Sequence, residues 1–339
     1  MQPQLAYWAN KQHGLVTRRQ ALEAGYTERE LRTLTGHRGR WHTVRRGVYI
    51  RREEWESHDA RTGQAHRLVL AAHLTMNRDH VISHGSAALL HGLPMLDPRD
   101  GLVHITRPGV TGSRTEHAVK HHSAAYSAEQ VVLLDGVPAL DLARTAVDIG
   151  REHGTLHGVV VADAALQLGA TRKDLWNAIE PMACWPHVTA ARAGIELCDP
   201  GAESPGETML RTLIVEIGLG PVETQFAVPV GDRICYADMR AGRLLFEFDG
   251  RAKYRRIDQG GFATADPGEL VFAEKVREDG MRGVGFGVAR VIWEELIGRR
   301  AREATKARLL REYAEATARF GTELPVDWPI LPKRVRRAA

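Results

Sequence analysis

The chain has 339 residues, 43% of them hydrophobic and 26% charged, with a formal net charge of +4 and a pI of about 9.0. At one domain per ~150 residues, that length accommodates two or three domains. No apolar run approaches the roughly 20 residues a membrane-spanning helix needs, and "MQPQLAYWANKQHG" lacks a basic segment leading into an apolar one, so the membrane class is set aside and a cytoplasmic location is expected.

Residues 1–58 predict three short helices and a hairpin. Leu5, Trp8 and Ala9 mark a first amphipathic turn. Thr17 caps "RRQALEAG", which stops at Gly25, and Thr27 caps "ERELRTL" with Glu30 three residues on, as a capping box requires. After Gly36, "WHTVRRGVYI" predicts two short strands about Arg45, Arg46 and Gly47. Three helices followed by a basic β-wing make a winged helix-turn-helix. In such modules the second helix of the pair enters the major groove and the wing holds phosphates. This places Thr27, Arg29, Arg32 and Thr33 towards bases, and Arg38, Arg40, Arg45 and Arg46 towards the DNA backbone. A protein-interaction module of the same shape is the alternative.

Residues 59–195 predict a mixed α/β middle domain. "RLVLAAHLT" is helical, "VISHGSAALLHGLP" is a turn into a helix, "LVHIT" is a strand, and "LDLARTAVDIGREHG" and "HGVVVADAALQLG" are further helices. His84, His91, His104, His121 and His122 form neither an H-E-x-x-H nor an H-x-H arrangement, so no metal is assigned to them. The three cysteines, Cys184, Cys198 and Cys235, contain no C-x-x-C pair and are expected to be buried thiols.

These two segments, up to about residue 180, resemble the AbiEi family of antitoxins and transcriptional repressors of type IV toxin–antitoxin systems. The resemblance rests on "GLVTRRQALEAGYTERELRTL", "WHTVRRGVYI", "SHGSAALLHGL" and "LDLARTAVDIG". It implies operator DNA binding by the N-terminal domain and no enzymatic chemistry.

"CDPGAESPGE" then breaks the pattern, with the domain boundary expected near residue 196. Ser204, Pro205 and Glu207 open the helix "ETMLRTLIVEIG". Strand "TQFAVPV" follows, then a strand ending at Asp238, a short turn through Ala241 and Gly242, and a strand carrying Glu247 and Asp249. The helix "GELVFAEKVREDGMRGVG" and the strand "GVARVIW" complete the segment 196–298. This order is that of a restriction-endonuclease-like, PD-(D/E)XK core. Alternation along a strand puts Glu247 and Asp249 on one face, and a tight turn sets Asp238 opposite Leu245 and diagonal to Glu247. Neighbouring carboxylates repel, and a divalent cation relieves that repulsion. Asp238 and Glu247 are therefore the expected ligands of Mg²⁺ or Mn²⁺, with Lys253 or Arg251 balancing charge. Glu207 either completes the site or serves only as a helix cap.

The stretch around Asp238, Glu247, Asp249 and Gly250 resembles the very-short-patch-repair-like endonucleases, a branch of the PD-(D/E)XK superfamily, over roughly residues 200–298. The resemblance implies metal-dependent phosphodiester hydrolysis. Two departures stand out: Ala237 precedes Asp238 where the family has proline, and Asp249 replaces the lysine of E-x-K.

"GVGFGV" follows a predicted helix instead of a strand and fails as a dinucleotide fingerprint. Lys275, Arg277 and Arg290 are expected either to face a phosphodiester or to be exposed surface charges. Residues 299–339 predict a basic helical tail ending in "KRVRR". The whole is an α/β multidomain chain for which two functions are expected: a DNA-binding, metal-dependent endonuclease with catalytic residues Asp238, Glu247, Asp249, Lys253 and Glu207, or a non-enzymatic repressor or antitoxin with a degenerate nuclease fold. DNA is the partner under both. A homodimer is compatible with either, and a cognate toxin protein with the second.

Overall fold

The computed structural model describes residues 1–96, 100–109, 112–250 and 267–331. The chain is a mixed α/β protein that divides into two compact units, Met1–Ile195 and Glu196–Ala339. Among the described residues no helix is long and apolar enough to cross a membrane.

The first unit opens with α1 (Pro3–Lys11), β1 (Val16–Thr17), α2 (Arg18–Glu23), α3 (Glu28–Thr35), β2 (Trp41–Arg45), β3 (Val48–Arg51) and α4 (Arg52–Glu56). Thr17 and Thr27 both cap their helices through reciprocal capping boxes, with Gln20 and Glu30 as the partners. The β2–β3 hairpin turns at Gly47, whose φ of +83° is costly for any residue with a Cβ. β1, too short to be predicted, pairs with β3 and completes a three-stranded sheet ordered β1-β3-β2. One face of this module closes on Leu5, Ala9, Val16, Ala21, Leu31 and Trp41. The other does not stand alone: Leu15, Val44, Val48 and Ile50 join a core with Val69, Ile82, Ile105 and Ala139 of the following segment.

That segment runs through α5 (Gly63–Thr75), β4 (Val81–Ile82), α6 (His84–Leu90), β5 (Val103–Arg107), β6 (Arg114–Glu116), β7 (Val119–Ser123), β8 (Val131–Leu134) and β9 (Val137–Leu140). It ends with α7 (Leu142–His153), α8 (Thr155–Gln167), α9 (Arg172–Ile179) and α10 (Val188–Leu197). Its six-stranded sheet has the order β6-β7-β5-β4-β9-β8, with β5 parallel to β7 and β4 parallel to β9. The "RTAVD" stretch of α7 is a buried ion pair: Arg144 Nε donates to Asp148 at 2.9 Å, both side chains being about as enclosed as core leucines. Arg151 reaches the other oxygen of Asp148 at 3.2 Å.

The second unit contains α11 (Pro205–Glu216), β10 (Glu223–Val230), β11 (Arg233–Ala241), β12 (Leu244–Asp249), α12 (Pro267–Gly283), β13 (Gly287–Ile292), α13 (Trp293–Leu296) and α14 (Arg299–Phe320). Its sheet is ordered β10-β11-β12-β13, antiparallel except that β13 runs parallel to β12. Leu245 packs with Met281 of α12 on one face. On the other, the Phe248 ring lies against Gly206 of α11, and Leu244 packs by Gly287 and Ala316 of α14.

Two expectations change. β11 does not stop at Asp238 but runs on to Ala241, and the turn is made at Gly242, at φ +55°, and Arg243. Of the cysteines only Cys198 is buried, while Cys184 is exposed.

Candidate nucleic-acid interface and carboxylate cluster

In the N-terminal module the buried Leu31 fixes the rotation of α3, leaving Arg29, Arg32 and Thr33 exposed. Thr27 is exposed too, but its hydroxyl is occupied in starting the helix: it accepts from Glu30 N at 3.2 Å, and Glu30 accepts from Thr27 N at 2.7 Å. Glu28 on the same helix pairs with Arg18 of α2. Arg38, Arg40 and Arg46 are exposed around the wing. Arg45 is half-buried, donates to the His117 carbonyl at 3.3 Å, and has its pKa lowered by desolvation. It lies in a cleft of about 420 Å³ together with Arg46, Arg78, Arg107 and Arg114. The sequence located Arg45 on the wing but could not locate this arginine-lined cleft, because three of its guanidiniums come from the middle segment.

In the second unit, Met239 pairs with Phe246 and Arg240 with Leu245. Continuing that register sets Asp238 directly across from Glu247, not diagonal to it as expected, because the turn falls after Ala241. The carboxylates are nevertheless engaged by protein groups. Glu247 receives Arg277 of α12 in a two-point contact, Nη1 to Oε1 at 3.2 Å and Nη2 to Oε2 at 2.9 Å. Arg277 Nη1 also donates to the Tyr236 carbonyl at 2.9 Å. Arg290, paired in register with Glu247, forms an ion pair with Glu278 at 2.9 Å. Asp238 Oδ2 accepts the Phe248 backbone N–H at 2.7 Å. Asp249 Oδ1 is buried without a hydrogen bond among the described residues. Arg277 and Arg290 therefore balance acids inside the unit, whereas Lys275 is exposed.

Glu207 does cap α11: it accepts from Glu203 N at 2.8 Å and from Ser204 Oγ at 2.9 Å. It is also buried near Asp238. Desolvation first, then the Asp238 charge, pushes its pKa up to about 7. Lys253 and Arg251 lie outside the described residues.

The histidines behave differently from expectation. Among the described residues, three of them and one acid form a cluster capable of holding a metal ion: His84, His104, His122 and Glu152, with their ligand atoms all within 4.8 Å of one another. They come from α6, β5, β7 and α7, so no short-range spacing in the sequence could announce them. The detectable signal was weaker: His104 and His122 sit on adjacent parallel strands in positions that share a face.

Residues 3–52 match the family model described as "Transcriptional regulator, AbiEi antitoxin". The N-terminus is an AbiEi-type domain. A search of curated proteins gave no match. Among solved structures, the chain is similar to the RV2827C protein from Mycobacterium tuberculosis, at 14% identity and a TM-score of 0.38, covering 61% of this chain and 78% of that one.

Proposed function

We propose that this protein is a DNA-binding transcriptional regulator of the AbiEi antitoxin kind. The observation that carries this reading is the coincidence of the family match over residues 3–52 with a three-helix, three-stranded module that turns Arg29, Arg32 and Thr33 outward from α3. In this reading Arg29 and Arg32 meet base edges, where a bidentate arginine discriminates guanine. Arg38, Arg40 and Arg46 hold phosphates, as does Arg45 in the cleft that it lines. Thr27 sets the helix start and Thr33 lines the reading face. The antitoxin description of the family makes a toxin protein the second partner, and the setting is cytoplasmic.

A second reading, a metal-dependent DNA endonuclease, is favoured by two observations: the buried Glu207 carboxyl lies near Asp238, whose charge helps raise its pKa, and Asp249 Oδ1 has no hydrogen-bond donor among the described residues. The helix, three-strand meander, helix and strand order supports the same PD-(D/E)XK assignment. Asp238 and Glu247 would hold Mg²⁺ or Mn²⁺, with Glu207 and Asp249 beside them and Lys253 as the expected positive group. Such an ion stabilises charge on a phosphate and lowers the pKa of water. Arg277 would have to release Glu247 for that role.

The test is binding of the purified chain to the DNA upstream of its own gene and to an unrelated duplex, in EDTA and in Mg²⁺ or Mn²⁺, with supercoiled plasmid in parallel. The regulator reading expects sequence-selective binding in EDTA, with discrimination reduced by ~1–3 kcal/mol in Arg32→Ala. Absence of any DNA binding would overturn it. Metal-dependent nicking that disappears in Glu247→Ala would move the assignment to the nuclease.

A further inference from the structure

We propose that His84, His104, His122 and Glu152 form a structural site for a divalent transition-metal ion of the zinc class, buried in the first unit and independent of the carboxylate cluster of the second. His104 Nδ1 lies 3.0 Å from His122 Nε2. Glu152 Oε2 lies 3.7 Å from His104 Nδ1 and 3.8 Å from His84 Nε2. Zinc bonds to nitrogen and oxygen of about 2.0–2.1 Å imply tetrahedral edges of about 3.3 Å, so these separations bracket the required cage.

Three of the four ligands are oriented by a neighbour. Asp100 Oδ1 stands 3.2 Å from His104 Nε2, which places the proton on Nε2 and leaves Nδ1 facing the cluster. This is the carboxylate–histidine pairing that accompanies metal-bound imidazoles. Ser83 Oγ stands 3.0 Å from His84 Nδ1 and likewise leaves Nε2 facing inward. Lys120 takes Glu152 Oε1, so Oε2 alone is directed at the rings. His153, on the rim, is 3.9 Å from the same oxygen.

A purely hydrogen-bonded cluster accounts for these positions poorly. Glu152 Oε2 is buried with no hydrogen bond among the described residues, although three histidines are within 4 Å of it. An unsatisfied buried carboxylate oxygen is costly, and a cation between it and the imidazoles removes that cost. His84 also adopts φ +49° at the start of α6, an uncommon conformation for a non-glycine residue, and it brings the ring alongside His122 with 3.6 Å between centroids. With four protein ligands, three of them buried histidines and the fourth, Glu152, 16% exposed, the site has the closed form of a structural centre.

The experiment uses the untagged full-length chain, stripped with EDTA and titrated with Zn²⁺ and with Co²⁺. A background Asp238→Asn/Glu247→Gln variant removes the second unit's two expected metal ligands from the measurement. The expected result is one Zn²⁺ per chain by elemental analysis, a rise in Tm on loading, and the intense visible absorption of tetrahedral Co²⁺. Glu152→Gln, which keeps shape and loses charge, should weaken Zn²⁺ more than 10-fold, and Asp100→Asn, which alters only the orienting group, by about 10–100-fold. A folded stripped protein that takes up no stoichiometric Zn²⁺ would overturn the proposal. Uptake unchanged in both Glu152→Gln and His104→Gln would overturn it equally.

Discussion

Arg277 and Glu247 form a two-point ion pair across the face of the C-terminal sheet, helix α12 delivering the guanidinium to a carboxylate at the middle of β12. The Arg277 side chain is 25% exposed and that of Glu247 11%. Removing the cation takes the two-point partner from an enclosed carboxylate, a stronger effect than losing a surface salt bridge. Arg277→Ala should lower unfolding free energy by roughly 2–3 kcal/mol in urea titration, and Arg277→Ala/Glu247→Gln should recover part of it. A loss under about 0.5 kcal/mol would mean that solvent already neutralises Glu247.

Glu207 gives a pH dependence of determined sign. Its pKa rises from an ordinary 4.5 to about 7 in the folded chain, so between these values the folded form holds a proton that the unfolded form has released. Stability contributed by this group therefore falls as pH rises from about 4.5 through 7. In EDTA the wild type should lose on the order of 2–3 kcal/mol across that window relative to Glu207→Gln. Superimposable pH profiles would remove Glu207 from the account.

In the regulator reading, the wing's contribution to DNA binding is separable by salt. Arg46 is exposed, so Arg46→Ala should weaken binding to all sequences alike and reduce the log–log salt slope by ~1. Arg45 is a poorer probe because it also ties the wing to His117. Fluorescence anisotropy at several salt concentrations measures the slope, and an unchanged slope would place Arg46 off the DNA.

Asp148 tests the middle segment. It accepts from both Arg144 and Arg151 while almost fully buried. Asp148→Ala leaves the Arg144 guanidinium enclosed without its carboxylate and should cost about 3–5 kcal/mol by thermal or urea unfolding. A cost below 1 kcal/mol would require Arg144 to be satisfied by its remaining acceptors, Gln130 and the Ala125 carbonyl.

Local signals in the sequence translated well into structure where the cause was local. Thr17 and Thr27 read as helix caps and are caps, because a capping box is contained within four residues. The helices around "LDLARTAVDIG" and "ETMLRTLIVEIG" follow from the same kind of information. Register did not. Whether Asp238 faces Leu245 or Glu247 depends on where the chain turns, and Ala241 is as acceptable in a strand as in a turn. The histidine cluster was illegible for a further reason: its members approach one another only after six strands have been ordered in a sequence different from their chain order. Arg277 as the partner of Glu247 depended on the same long-range assembly.

The shared core beneath the wing has an evolutionary and practical consequence. Val44, Val48 and Ile50 share a core with Val69, Ile82 and Ile105, so the N-terminal module is not a portable cassette hung on a tether. Cutting after residue 58 would strip an apolar sheet face and yield a sticky fragment, and transplanting the head onto another body would demand a matching floor. In the regulator reading, the orientation of α3 is thereby set by the middle segment as well as by its own module.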